Sequence, residues 1–350
     1  MEIELPPLGP TDVLVEMVGV GICHTDLVSR DGNLGAQYPS VFGHEGSGVV
    51  QAVGYKVSKL TVGDHVVLSP ASDGTCTMCL RGAPMYCDQF NALNLQMADE
   101  VPTGQLAGGE KVRLKYFGQS SFSRHAIASE RNAIKVPNDV PLEILGPLGC
   151  GIQTGAGTLL NGLLPPAGSS VVILGAGAVG LAALLAAVIR QCHTIIMVDR
   201  STPRLAFAQE LGATHVINTE ETPDLQARIR DICIRGVDYV VDCAGVPSLI
   251  AASLGSLAPL GTLGLVAVPP TMSQKLEVPW FSLMNGGQRI QGFVEGNSVP
   301  EVFIPHLVDL YREGSFPFDR LIKSYAFEQI NEAVDEQESG KVLKSVLKFS

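Results

Sequence analysis

Charged residues are scarce in this chain, and aromatic residues are scarcer still. Asp, Glu, Lys and Arg make up 17% of its 350 residues and aromatic side chains 6%, whereas 46% of the residues are hydrophobic. Because charged residues usually form about a quarter of a globular chain, this composition argues against a disordered or solvating protein. The length is too great for one ordinary hydrophobic core and predicts two domains with large buried sheets.

Positive charge is in especially short supply. The sequence has 24 Lys and Arg residues against 35 Asp and Glu residues, which gives a net charge of −11. Phosphate backbones and acidic lipids repel such a chain, so the charge argues against nucleic acid or a membrane as a partner. Small-molecule ligands stay open, since the local field in a cleft can oppose the global sign.

Targeting and membrane-spanning segments are also missing. The opening stretch "MEIELPPLGPTDVLVEM" has neither the basic nor the apolar region of a signal peptide. No uncharged run is long enough to cross a membrane. The eight cysteines therefore indicate reduced thiols or metal ligands rather than disulfides, and we expect a cytoplasmic protein.

What the chain does have is a clear change of pattern near residue 152. Short β-runs such as "DVLVEMVGVG" and "GSGVVQAVG" come first and predict a Gly-rich, barrel-like sheet. Apolar strands then alternate with helices, which predicts βαβ units on a parallel sheet. After about residue 294 the chain has mixed character and ends in "KVLKSVLKF", and this tail is expected to return to the first domain. The predicted domains are therefore 1–151 with 295–350, and 152–294.

A glycine-rich turn opens the second pattern. Gly175, Gly177 and Gly180 form G-x-G-x-x-G between the strand "VVIL" and the helix "LAALLAAVI". Asp199 ends the next predicted strand, at the spacing of about 20 residues that dinucleotide sites show. An acid there accepts bonds from ribose hydroxyls and repels a 2′-phosphate, which favours NAD. Arg200 keeps NADP open, since a guanidinium can bind that phosphate.

Three cysteines crowd the loop "DGTCTMCLRGAPMYC". Cys76 and Cys79 form a C-x2-C pair whose thiolates can face one cation, and Cys87 follows. A structural zinc site needs four ligands, and Asp73, three residues before Cys76, supplies a carboxylate. We therefore predict a structural zinc ion here. The alternative is an empty loop of oxidation-prone thiols.

Three further metal-binding side chains lie far apart. Cys23 lies in "GICHTD", His44 in "GHEGSG" and Cys150 in "GPLGCG". No spacing rule joins them. On residue type alone, a lone Cys is usually a small core residue and a lone His a satisfied polar group.

Motifs along nearly the whole chain resemble those of zinc-dependent alcohol dehydrogenases in the medium-chain dehydrogenase/reductase family. The matching stretches are "GICHTD", "GHEGSGVV", "GDHVVLS", the Cys-rich loop, "GPLGCGIQTG", "GAGAVG" and "ELGATHVIN". The aryl- or benzyl-alcohol branch is suggested by "FGQSSF", "GPLGCGIQTGAG", "FVEGNSVP" and "FPFDRL". The resemblance implies a GroES-like catalytic domain and a Rossmann cofactor domain.

The resemblance also assigns the scattered ligands. It implies that Cys23, His44 and Cys150 bind a catalytic zinc with one position left open, as zinc chemistry requires. It makes Asp26 an acceptor that orients the His44 ring and places Glu45 close behind the metal. With the Cys-rich loop, two zinc ions per chain are expected.

The resemblance also implies which residues contact the substrate and the cofactor. Thr25 matches a hydroxyl that takes the substrate proton, and Thr154 matches a nicotinamide contact. The remaining candidate cofactor contacts are His24, Arg204, Val266, Val268 and Lys344. For His24 and Lys344, ordinary surface charge is an equal alternative.

The sequence departs from the family pattern at three places. Asp73 replaces the usual first Cys of the structural site, which predicts weaker metal retention. Val28 stands where relatives often have a proton-relaying His, so the proton would leave from Thr25 through a ribose hydroxyl to water. Relatives have further strands before "PLGPTDVLVEM", so an incomplete sheet edge is expected.

The expected reaction is reversible oxidation of a primary, aromatic or allylic alcohol to its aldehyde by hydride transfer to NAD, in a homodimer or a tetramer. The main alternative is a biosynthetic reductase of the same family acting on an enal, ketone or iminium. A zinc-free reductase and a noncatalytic dinucleotide-binding protein are disfavoured, because neither needs Cys23, His44 and Cys150 together.

Overall fold

A computed structural model describes residues 2–34, 37–95, 103–271 and 273–349. The chain divides into two compact units. The first comprises Met1–Gln153, Ser298–Gly314 and Phe318–Ser350, and the second comprises Thr154–Asn297 and Ser315–Pro317. The domain limits expected from the sequence stay a prediction.

The strands are numbered here along the chain. They are β1 (Ile3–Glu4), β2 (Asp12–Gly21), β3 (Gly46–Val53), β4 (His65–Leu68), β5 (Thr103–Leu106), β6 (Lys111–Arg113), β7 (His125–Ser129), β8 (Ala133–Lys135), β9 (Ser170–Leu174), β10 (Thr194–Asp199), β11 (His215–Asn218), β12 (Val237–Asp242), β13 (Leu257–Leu265), β14 (Arg289–Gly292), β15 (Ile322–Ala326) and β16 (Lys344–Lys348).

The helices are numbered in the same way. They are α1 (His24–Arg30), α2 (Thr77–Leu80), α3 (Phe90–Asn94), α4 (Gly151–Gly157), α5 (Ala178–Ile189), α6 (Thr202–Glu210), α7 (Leu225–Ile232), α8 (Pro247–Leu254), α9 (Trp280–Gly286), α10 (Pro300–Arg312) and α11 (Ile330–Glu338). In the described parts of the chain, none of them combines the length and apolar character that a membrane crossing needs.

The first unit is built on a sheet with the strand order β15-β16-β2-β3-β4-β8, and β7 also pairs with β2. The alternating sequence of β2 explains its position, because Val13, Val15 and Met17 point inward and are buried. They pack with Val66 of β4 and its neighbours in one core cluster. Each such side chain contributes about 1.5–3 kcal/mol on burial.

The end of the chain joins this sheet. β16 pairs antiparallel with β2, with Val346 opposite Gly21 and Leu347 opposite Val20. The pairing matters for the site, because it brings the first residue of β16, Lys344, next to the turn that follows β2. A small separate sheet has the order β1-β5-β6. The incomplete edge expected from the sequence stays a prediction.

The second unit holds a six-stranded parallel sheet with the order β11-β10-β9-β12-β13-β14. The order reverses between β9 and β12, which is where such sheets bind dinucleotides. This confirms the predicted Rossmann class. The sequence pattern did not separate β11 or β14 as strands, because both are short and lack the buried apolar run that marks β9 and β10.

Candidate functional site

One cluster of metal-binding side chains forms in the first unit. Cys23, His44, Glu45 and Cys150 each offer a ligand atom, and these atoms all lie within 4.8 Å of one another. Cys23 directly precedes α1, His44 and Glu45 precede β3, and Cys150 precedes α4. Three separate turns at the ends of regular elements therefore converge on one point.

Asp26 fixes the orientation of the His44 ring. Its Oδ1 accepts a hydrogen bond from His44 Nδ1 at 2.8 Å and another from the Gly43 N–H at 3.1 Å. Its Oδ2 accepts from the Cys23 N–H at 3.0 Å, which also caps the start of α1. With Nδ1 acting as the donor to a carboxylate, Nε2 is the ring's acceptor and carries the free lone pair.

The cluster fits a bound cation on two counts. His44 Nε2 is buried and has no hydrogen-bond partner among the described residues, which is costly unless something binds it. The hydrogen bond from Cys150 lowers the pKa of Cys23 well below its ordinary value against the effect of burial, and His44 and Lys344 lower it further. Two thiolates with one imidazole form a zinc ligand set.

Glu45 and Lys344 form a buried ion pair behind this cluster. The Lys344 Nζ lies 2.5 Å from the Glu45 Oε2, and their side chains are 4% and 0% exposed. Lys344 also donates to the Ile22 carbonyl at 2.9 Å, while the Gly151 N–H donates to the Glu45 Oε1 at 3.2 Å. Burial raises the pKa of Glu45 to about 7, and Lys344 opposes that rise. The pairing was not foreseen from the sequence, and a cofactor contact by Lys344 stays a prediction.

The residues after Cys23 take different positions on α1. The Thr25 Oγ1 lies 3.7 Å from the Cys23 Sγ, so its hydroxyl is beside the ligand cluster. His24 is exposed on the first turn, and Val28 is partly buried on the next. Their predicted roles in proton transfer and cofactor binding stay predictions.

A second cluster forms in the Cys-rich loop. Asp73, Cys76, Cys79 and Cys87 offer ligand atoms that lie within 4.8 Å of one another. The Asp73 Oδ1 accepts hydrogen bonds from the N–H groups of Thr75 at 2.7 Å and Cys76 at 2.9 Å. The sulfur atoms of Cys76 and Cys87 are 3.9 Å apart.

Electrostatics in this loop favour an ionised carboxylate at Asp73 and a protonated thiol at Cys87, whereas the backbone N–H of Asp88 lowers the pKa of Cys76. The backbone N–H groups of Cys76 and Thr75 hold the pKa of Asp73 well below its ordinary value. Burial raises the pKa of Cys87 to about 12. A cation must therefore displace a proton from Cys87, whereas Asp73 is already ionised.

The glycine-rich turn of the second unit is shaped for close approach of a ligand. Gly175 has φ +94°, which side chains rarely tolerate, and a Cβ on Gly180 would lie 1.8 Å from the Gly175 carbonyl oxygen. A Cβ on Gly177 would meet nothing within 4 Å. Gly177 is also the N-cap of α5, and the free N–H groups at the start of a helix suit a pyrophosphate.

Asp199 lies beside this turn at the end of β10. Its Oδ2 accepts from the Ala176 N–H at 2.7 Å, and its Oδ1 accepts from the Ser201 N–H at 2.8 Å. Arg200 is exposed next to it, and Arg204 lies on α6. The acid and the glycine turn are thus in direct contact.

The remaining cofactor candidates lie elsewhere in the second unit. The Thr154 Oγ1 donates to the Glu295 Oε2 at 3.2 Å. The Val266 N–H donates to the Asp242 carbonyl at 3.1 Å, and Val268 is 49% exposed. Sequence reasoning gave no role to Glu295, although it lies in the quoted motif "FVEGNSVP".

Comparison with known proteins identifies the family. Residues 9–138 match the alcohol dehydrogenase GroES-like domain, and residues 178–313 match the zinc-binding dehydrogenase family. A geraniol dehydrogenase of Castellaniella defragrans is 44% identical over 97% of this chain and 91% of its own length. The chain belongs to the zinc-binding alcohol dehydrogenases of the medium-chain dehydrogenase/reductase family.

Solved structures agree with this assignment. An alcohol dehydrogenase zinc-binding domain protein from Burkholderia ambifaria matches with a TM-score of 0.96 and 48% identity, covering 99% of this chain and 94% of that one. A benzyl alcohol dehydrogenase from Acinetobacter calcoaceticus matches with a TM-score of 0.94 and 43% identity, at the same coverage. The resemblance found in the sequence is confirmed, and the dehydrogenase is an oxidoreductase of small-molecule alcohols.

Proposed function

We propose that this dehydrogenase reversibly oxidises a primary alcohol to an aldehyde with NAD, using a zinc ion held by Cys23, His44 and Cys150. The observation that carries the proposal is the buried Nε2 of His44, which has no hydrogen-bond partner within the described ranges and lies within 4.8 Å of ligand atoms from both cysteines. When bound, zinc supplies Lewis-acid polarisation of an alcohol oxygen, and nicotinamide supplies the hydride acceptor.

The chain's own residues prepare that chemistry. Asp26 holds His44 in one tautomer, so the imidazole keeps a free nitrogen for the metal. The Thr25 Oγ1 is the proposed acceptor of the alcohol proton, since it lies beside Cys23. Val28 offers no imidazole to pass the proton on, so we expect a pH dependence without the contribution of a relay His.

We assign a second, structural zinc ion to Asp73, Cys76, Cys79 and Cys87. The four ligand atoms converge within 4.8 Å, and three thiolates with one carboxylate form a permitted closed zinc set. A site with four protein ligands has no open position, so this zinc ion would not bind substrate.

NAD is the proposed cofactor in preference to NADP. Asp199 supports this choice, because a carboxylate beside the glycine turn accepts bonds from ribose hydroxyls and repels a 2′-phosphate. The test compares dissociation constants for NADH and NADPH in the parent and in Asp199→Gly. The ratio should favour NADH strongly in the parent and fall in the variant, and equal binding by the parent would reject the preference.

The proposed substrates are aromatic or allylic primary alcohols. Support comes from the relatives described as geraniol and benzyl alcohol dehydrogenases. Aromatic rings also surround the metal ligand His44, with Phe117 at 4.5 Å and Tyr116 at 5.8 Å between ring centroids. Comparing kcat/KM for benzyl alcohol, geraniol and ethanol tests the preference.

A homodimer is the proposed assembly. β14 ends the sheet of the second unit, and exposed strand edges readily pair with another chain. Large apolar side chains nearby are strongly exposed, namely Leu260, Trp280, Phe281 and Met284. A patch of this kind is typical of protein interfaces. A cytoplasmic location stays a prediction.

Zinc counting combined with an activity assay tests the main proposal. The parent should hold two zinc ions per chain and oxidise benzyl alcohol with NAD. Cys23→Ser should hold one, with kcat/KM lower by about 10³-fold, because several kcal/mol of Lewis-acid stabilisation is lost. Cys233→Ser, outside both clusters, is the matched control and should behave as the parent. Reduction of enals by the parent without alcohol oxidation would instead favour the biosynthetic reductase.

A further inference from the structure

The motif "FGQSSF", residues 117–122, has been given no role above beyond the aromatic ring of Phe117. The backbone of the turn that contains it is unusual, because Lys115, just before the motif, and Phe117 and Ser120 within it have φ values of 67°, 48° and 53°. Residues with side chains rarely adopt such left-handed conformations, and those that do concentrate at functional sites. The unfavourable backbone conformation therefore indicates that this turn has a function.

The turn runs along the segment that leads to His44. The Ser121 N–H donates to the Gly43 carbonyl at 2.9 Å, and the Ser120 hydroxyl donates to the Val41 carbonyl at 2.6 Å. The Phe122 N–H donates to the Phe42 carbonyl at 2.9 Å. These bonds tie the two segments together just before the metal ligand.

Gln119 extends this contact to the ligand itself. Its Nε2 donates to the His44 carbonyl at 2.9 Å, and its Oε1 accepts from the Gly46 N–H at 3.1 Å. The residue is 1% exposed. One buried amide thus fixes the backbone on both sides of Glu45, and with it the position from which His44 projects.

Phe117 and Tyr116 enclose the imidazole of His44. The Phe117 ring is stacked on it, with centroids 4.5 Å apart and planes at 29°. Tyr116 meets the same ring edge-on at 5.8 Å and 80°. Since Asp26 also accepts a hydrogen bond from Nδ1 at 2.8 Å, the imidazole is restrained by the stacked Phe117 ring, the edge-on Tyr116 ring and the Asp26 carboxylate.

We propose that Gln119 and Phe117 are positioning residues for His44, and that the strained turn exists to hold its Nε2 toward Cys23 and Cys150. The inference rests on the proposed function only in assigning a metal ion to these ligands. A preset ligand binds more tightly because it loses less freedom on binding.

The test is zinc affinity, measured by competition with a chromophoric chelator. Gln119→Leu removes both hydrogen bonds of the side-chain amide while keeping a side chain of similar size. The matched control is Gln51→Leu on the exposed face of β3. The parent should have two classes of zinc-binding site, and the class that is missing in Cys23→Ser is the one that contains His44. Affinity of that class should fall about 10–100-fold in Gln119→Leu, as for partners that orient ligands elsewhere. The zinc of the Cys-rich loop and all values for Gln51→Leu should stay as in the parent.

A second variant guards against a folding defect. Phe117→Leu keeps an apolar side chain but removes the stacked ring, and it should weaken the same class of zinc. Cobalt substituted at that site should show an altered visible spectrum in both variants. Unchanged affinity and spectra would overturn the proposal, and so would failure of both variants to fold, since the role would then be structural. A parent that binds zinc normally but oxidises no alcohol would reject the proposed function and leave this measurement valid.

Discussion

Asp73 has to serve two sets of partners with a single carboxylate. Its Oδ1 accepts from two backbone N–H groups of the following turn, while the side chain also lies among the three thiols of the Cys-rich loop. The same residue therefore shapes the loop and completes the proposed ligand set. The two tasks differ in one respect, because only the metal requires the negative charge.

Replacing Asp73 by Asn separates these tasks. The amide keeps an oxygen for Thr75 and Cys76 but loses the charge that zinc favours, so zinc content should fall from two ions to one with part of the activity kept. The control is Asp224→Asn, because Asp224 accepts from the Ala227 N–H at 2.9 Å in a similar turn without cysteines. Elemental analysis of purified protein measures the outcome. If Asp73→Asn still held two zinc ions, the Asp73 charge would not be needed for metal binding, and the residue would serve only to shape the turn.

At the scale of elements, the β9–α5 turn combines glycines with different functions. A Cβ at Gly180 would strike the Gly175 oxygen at 1.8 Å, whereas a Cβ at Gly177 would enter open space. Gly180 is therefore needed for packing of the helix on the strand, whereas Gly177 is proposed to leave room for a bound ligand.

Two alanine variants should therefore behave differently. Gly180→Ala should lower the melting temperature, because the helix must shift away from the strand. Gly177→Ala should melt close to the parent but bind NADH at least about tenfold more weakly, since its methyl group enters the ligand space. Thermal unfolding and fluorescence titration measure these effects. NADH binding by Gly177→Ala equal to that of the parent would contradict the proposed cofactor position.

Charged side chains also connect helix α11 to strand β15. Glu336 on α11 pairs with Lys323 and Tyr325 of β15 and with Lys341. The bonds from Lys323, Lys341 and Tyr325 lower the pKa of Glu336 from 4.5 to about 2. The folded state therefore holds this proton less tightly than the unfolded chain does, so the pairing stabilises the fold above about pH 4.5.

Stability from Glu336 should disappear as the pH falls from about 4.5 to about 2. Glu336→Gln should consequently melt below the parent at pH 7, and the difference should shrink toward pH 3. The control Glu332→Gln, on the same helix but hydrogen-bonded only to Gln329 among the bonds described, should show little change at either pH. A difference that is independent of pH would show that the Glu336 charge is not the cause.

At the scale of the whole molecule, the proposed dimer depends on the second unit. Trp280 and Phe281 begin α9 and are 81% and 73% exposed. Burying two such rings removes a large apolar area from water, and aromatic residues dominate the core of protein interfaces.

Charge placed on this patch should split the dimer. Trp280→Glu combined with Phe281→Glu should change the solution mass from twice 37.0 kDa to 37.0 kDa, because paired charges cannot be buried without partners. Tyr55→Glu, at an 82% exposed position of the first unit, is the control. Analytical ultracentrifugation measures the mass, and an unchanged dimer in the double variant would place the interface elsewhere.

Some features follow from the sequence because they depend on short-range geometry. The alternation in β2, the glycines between β9 and α5, and the C-x2-C pair each occupy a few consecutive residues, where backbone period and spacing determine which side chains share a face. The Rossmann class could therefore be predicted, and it is confirmed. The family motifs also allowed Cys23, His44 and Cys150 to be proposed as ligands of one metal ion, which their spacing alone could not do.

Other features were decided only by the tertiary structure. Cys23, His44 and Cys150 meet because three turns end at one place, and Lys344 reaches Glu45 because β16 pairs with β2. The contacts of Gln119 with His44 likewise arise between distant segments. No local period encodes such meetings, since they depend on how whole strands pair across long stretches of chain.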